Sequence, residues 1–205
     1  MGTKSIASLK REQKRNSQET IEFKNKVIEF LKNAKPEIEY AIKRDLAIMT
    51  SMPFYKDRPK VVRFKMKPID LICEYAELFT TCSDKDFIAD LIKKLSINQN
   101  QTIRKAAPRI GKKSDIWEHV IPAKIIASEL TVMVINNDLS DLRKMLEIYE
   151  RAGQRGLTKE QNKLLDKYRC SMPSGWDWRL SDINPLARHT EVGIYHEDLK
   201  INITN

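Results

Sequence analysis

The chain has 205 residues, 41% hydrophobic and 32% charged, with a formal net charge of +9 and only six glycines. That length supports one good core, or a core with a small helical appendage. So few glycines argue against a many-stranded sheet with tight turns, and no apolar run approaches the ~18 residues of a membrane span.

The first sixteen residues are polar and basic, and read as a loose arm. Phe23, Val27, Phe30 and Leu31 then repeat at i, i+4, i+7 and i+8, which predicts a helix. Pro36 restarts the chain, and Ile38, Ile42, Leu46 and Met49 form a second stripe. Pro53 and Pro59 bracket a loop, and Val61 to Met66 alternates apolar and basic residues as a short strand does. Pro68 opens a helix carrying Ile69, Ile72, Cys73, Ala76 and Phe79. Ser83 and Asp86 resemble a capping box ahead of Phe87, Ile88, Leu91, Ile92 and Leu95.

Residues 97–115 lack periodicity and read as a linker or surface loop. From Pro122 the pattern is helical to Leu130 and on to Ile135, and Asn136-Asn137-Asp138 interrupts it. Leu139, Leu142, Leu146 and Tyr149 mark a further helix, broken by Gly153 and Gly156. Thr158 and Gln161 form a second capping-box pattern before Leu164, Leu165 and Tyr168. The tail, 171–205, is irregular but aromatic and is expected to pack on the body.

The positive charge is segregated. Residues 1–35, 56–69 and 104–113 each carry a net +5, which leaves −6 for the rest. The third cluster comprises Arg104, Lys105, Arg109, Lys112 and Lys113, with no acid among them. Segregated cations suit a polyanion such as nucleic acid, and solubility alone is the plainer explanation. Cys73, Cys82 and Cys170 are too few for a disulfide framework and form no C-x-x-C pair. With no apolar leader and Ile6 where a myristoylation pattern needs Ser or Thr, the expected setting is cytoplasmic.

Three histidines occur: His119, His189 and His196. His119 follows the acid Glu118 and precedes Val120, Ile121 and Pro122, an apolar and restrained setting that locks a ring. No phosphate-binding glycine loop, dinucleotide fingerprint, zinc-protease or nucleophile-elbow pattern is present.

The run Trp117-Glu118-His119-Val120-Ile121-Pro122-Ala123 resembles the signature of the His-Me finger (ββα-metal, HNH-type) nucleases, closest to their endonuclease I branch. The resemblance implies a Mg²⁺-dependent endonuclease that hydrolyses phosphodiester bonds. His119 is then the general base and Glu118 a metal ligand, with Asn136 or Asn137 preferred as the second ligand over Asn162 on a later helix, and with Asp115 able to assist. One divalent ion offsets the phosphate charge that repels a nucleophile. Arg104, Lys105, Arg109, Lys112, Lys113 and Lys124 are expected to contact phosphates of double-stranded DNA. Cutting a palindrome would call for a homodimer.

Each of these residues also has a plainer role. His119 suits a core position with one nitrogen on a carbonyl, and Asn136–Asp138 suits a helix cap. Trp117, Trp176 and Trp178 suit core packing ahead of base stacking. The expected architecture is α+β and predominantly helical. It has a helical N-terminal part at 1–96, a basic linker or loop at 97–113 and a nuclease part at 114–205 with a ββα-metal-like site. The alternative is a non-enzymatic, basic nucleic-acid-binding or protein-interaction module in which His119 is buried.

Overall fold

A computed structural model describes residues 17–50, 66–97, 101–112 and 114–196. The chain divides into two compact units, 1–65 and 66–205. The fold is α+β and predominantly helical, with one small three-stranded sheet. Among the described residues no helix is long and apolar enough to cross a membrane.

In the first unit, helix α1 (Gln18–Phe30) starts where the Ser17 hydroxyl accepts from the Thr20 amide. That bond satisfies one of the free amides of the first turn. A 3-10 turn (Leu31–Asn33) leads to α2 (Pro36–Thr50). The expected stripes face inward: Val27 and Leu31 from one side, Ile38, Ala41, Ile42 and Leu46 from the other, are buried. The loose arm at 1–16 and nearly all of the strand expected over 61–66 lie outside the described residues.

The second unit begins with α3 (Pro68–Thr80), whose first position is the proline, where a missing amide costs nothing. Helix α4 (Lys85–Lys94) is capped by Asp84, which accepts from the Phe87 amide at 2.9 Å. The cap is therefore one residue later than the expected Ser83, because the carboxylate three residues before the first apolar position, Phe87, reaches the N3 amide. Both helices bury their apolar stripe against α6 (Ala123–Ile135), and α3 also packs on α7 (Leu142–Ala152).

Residues 97–113 are not a linker between two parts. They carry a four-residue helix, α5 (Thr102–Lys105), and strand β1 (Arg109–Ile110). Ile103, Ala106 and Ala107 are buried, so this segment fills the core that α3, α4 and α6 share. The expected boundaries at 96 and 114 accordingly fall inside the second unit, whose edge is at 65/66. The surrounding basic residues mask these three apolar side chains in the sequence.

The sheet is ordered β1-β3-β2, with β2 at Ile116–His119 and β3 at Gln154–Leu157. β1 runs parallel to β3 and β2 antiparallel to it. Gly153, at φ +65°, ends α7 and turns the chain directly into β3. Helix α8 (Lys159–Leu164) follows with both halves of the Thr158/Gln161 capping box in place, then a 3-10 turn (Leu165–Tyr168) and α9 (Ala187–Thr190). The aromatic tail packs on the body as expected. Trp178 is buried and its indole donates to Glu129 Oε2 on α6 at 3.1 Å.

Candidate nucleic-acid interface

Strand β2 places its residues alternately on the two faces of the sheet. His119 and Trp117 share one face with their cross-strand partners Gln154 and Gly156. Glu118 shares the other with Arg155.

His119 sits where β2 ends. The residue is 6% exposed, and its ring lies parallel to the Tyr149 ring of α7, with centroids 6.1 Å apart. Nε2 lies 3.1 Å from the carbonyl oxygen of Arg104 on α5. A carbonyl only accepts, so Nε2 carries the proton and donates it there. Burial pushes the imidazole pKa below its ordinary value, against the raising effect of that bond, and the Arg104 and Arg188 charges push the same way as burial. Burial and the two cations thus favour the neutral ring, and the residue is closed in.

Glu118 is equally engaged. Its Oε1 accepts from Arg188 Nη2 at 2.6 Å. Arg188 is fully buried and also donates to the carbonyls of Val120 at 2.9 Å, Tyr168 at 2.9 Å and, through Nη2 again, His119. One guanidinium thus ties the end of β2 to the tail, 70 residues away in sequence. A carboxylate already neutralised by a guanidinium is a poor seat for a second cation.

The asparagines stand elsewhere. Asn136 caps the C-terminus of α6, and Asn137 follows it at φ 54°. Helix α6 has thirteen residues, so its two ends are roughly 20 Å apart. Glu118 and His119 precede the first end and the asparagines follow the last, so they cannot share one ion. Asn162 lies on α8. The Asp115 carboxylate accepts from the Lys159 amide at 3.2 Å. Among the described residues, no three His, Cys, Asp or Glu side chains converge as a metal site. The donor set that the resemblance implies for Mg²⁺ does not fit this geometry. The topology differs as well. A ββα finger needs two paired strands ahead of its helix, whereas β1 and β2 are separated by β3, which enters after α7.

The expected phosphate contacts fare differently. Lys105, Arg109 and Lys112 are exposed, Arg104 is half-buried, and Lys124 is exposed on the first turn of α6. Lys113 lies outside the described residues. Arg109 places its guanidinium 5.5 Å from the centre of the Trp117 ring. The carbonyl that His119 holds belongs to Arg104, so the buried histidine anchors the backbone that displays this basic run.

Sequence reasoning did not foresee that Arg155, Arg188 and His189 are buried. His189 Nδ1 lies 2.8 Å from His196 Nε2. Burial, then the charges of Arg188, His196 and Arg155, push the His189 pKa down to about 3. No local pattern marks these residues, since an arginine in a polar tail ordinarily stays in water.

Comparison with protein-family models, with curated proteins and with solved structures finds no match to this chain.

Proposed function

We propose that the chain is a non-enzymatic nucleic-acid-binding module whose contact surface is the basic run from Arg104 to Lys112, flanked by Lys124. One observation carries this reading. His119 is enclosed and spends its Nε2 hydrogen on the Arg104 carbonyl, so the central motif serves as an anchor for a cationic segment. The cations on that segment include no acid to neutralise them, which favours phosphate contacts.

The test is nucleic-acid affinity measured against salt, on the native chain and on a variant with Lys105→Gln, Arg109→Gln and Lys112→Gln together. Affinity should fall linearly with salt on a logarithmic plot, and the triple variant should reduce that slope by about three, about one per lost phosphate contact. A flat salt profile, or an unchanged slope in the variant, refutes the reading. The same preparations are assayed for Mg²⁺-dependent plasmid nicking. Nicking that disappears in His119→Ala would replace this proposal with the endonuclease reading.

A further inference from the structure

The sheet face that carries His119 changes character along its length. At its inner end the row Arg109, Gln154 and His119 runs in register across the three strands, and the histidine is sealed against Tyr149. Toward the outer end stands Trp117, half-buried, and its cross-strand partner is Gly156. A Cβ at Gly156 would lie 2.4 Å from the Lys112 carbonyl and 2.8 Å from the Ser114 amide. The missing side chain therefore lets the backbone of Lys112 and of Ser114 lie directly on β3, on the face that holds Trp117. From the far strand, exposed Arg109 reaches over the indole, 5.5 Å from its centre. The result is a planar cation on an aromatic ring, between lysines, in the middle of the acid-free run.

The carriers of these cations are a four-residue helix, a two-residue strand and a loop. Reading a duplex through its major groove calls for a longer helix or a two-stranded ribbon. The long helices of this unit do not offer a basic one. α6 carries a single cation, Lys124, and on α7 the exposed Arg143 is paired with Asp70 while Glu147 stands between Lys144 and Arg151. A guanidinium held over an indole suits unpaired bases, whose π-faces stack on aromatic rings and on Arg planes without sequence preference. Duplex bases are already stacked on one another.

We infer that the Arg109–Trp117 pair, with Lys105 and Lys112 beside it, is a stacking platform for single-stranded nucleic acid. The inference rests on the binding function proposed above and narrows its partner from the double-stranded DNA that the motif resemblance implied.

The experiment titrates the full chain with three probes at one salt concentration: an oligothymidylate and an oligouridylate of about 12 nucleotides, within the range of one single-strand site, and a hairpin duplex of matched charge. Each titration is repeated with Arg109→Lys, which keeps the charge and loses the plane, and with Trp117→Leu. The expected result is tighter binding of the single strands than of the duplex. Trp117→Leu should weaken single-strand binding about tenfold, and Arg109→Lys several-fold, with the duplex affinity and the salt slope unmoved. The two oligomers distinguish DNA from RNA. Should Trp117→Leu fail to fold, judged by thermal melting, Arg109→Lys carries the test alone. Equal or tighter duplex binding, indifferent to both substitutions, overturns the single-strand inference and leaves the basic-surface reading standing. Failure of the native chain to bind any probe removes both.

Discussion

The two faces of the small sheet hold similar residue types in opposite circumstances. On one face Glu118 meets buried Arg188, with buried Arg155 as its cross-strand neighbour. On the other, Arg109 and Lys112 stand in solvent beside Trp117. Arg188 is surrounded by three carbonyls and a carboxylate, so its charge and its hydrogens are consumed inside the protein. The exposed cations lie on a segment without acids, so their charge is available to something outside. A positive residue is structural or functional here according to the acceptors around it, and its identity in the sequence does not say which.

The comparison is broken most severely at Arg188. Arg188→Met keeps the volume but leaves Glu118 and three carbonyls without their donor. The expected loss is about 3–5 kcal/mol, the scale for removing one partner of a buried pair, read by chemical denaturation. A loss below about 1 kcal/mol would show that the guanidinium is not what ties β2 to the tail.

Acid should act at the residue next to Arg188. His189 is held neutral with a folded pKa of about 3, below the ordinary 6.5. The unfolded chain therefore binds this proton more readily. The stabilising contribution is complete above about pH 6.5 and is lost as pH falls toward 3. Between pH 7 and pH 5 the loss from His189 is about 2 kcal/mol. Denaturation midpoints of the native chain and of His189→Asn across that window check it. Equal slopes for the two would remove His189 as the cause.

The smallest effect belongs to the other face. Lys105→Gln and Lys112→Gln should each move stability by less than about 0.5 kcal/mol, because exposed cations contribute little to folding. A larger loss in thermal melting would mean that these lysines, too, are structural, and would weaken the contrast with Arg188.

Much of the helical framework was legible because its signals are local. The stripes of α1 and α2, the stop at Asn136 and the Thr158/Gln161 box all act within three or four residues. The basic run was legible as charge, but its place was not. The same residues that read as a linker conceal Ile103, Ala106 and Ala107, which only a neighbouring core could turn inward. β3 escaped notice because Gln154-Arg155-Gly156-Leu157 has neither β-branched residues nor alternation, and it is a strand by virtue of its two neighbours.

The sequence alone determined the helical character, the capped ends, the segregated charge and the unusual setting of His119. Tertiary structure decided what that setting means. The acid beside the histidine is neutralised by an arginine 70 residues on, and the histidine donates to a carbonyl 15 residues back. Seven consecutive residues can specify a motif, but the exposure and partners of each side chain depend on segments that meet only when the chain folds. Burial and neighbouring charge, which set the proton affinity of an imidazole and the metal affinity of a carboxylate, are properties of that meeting.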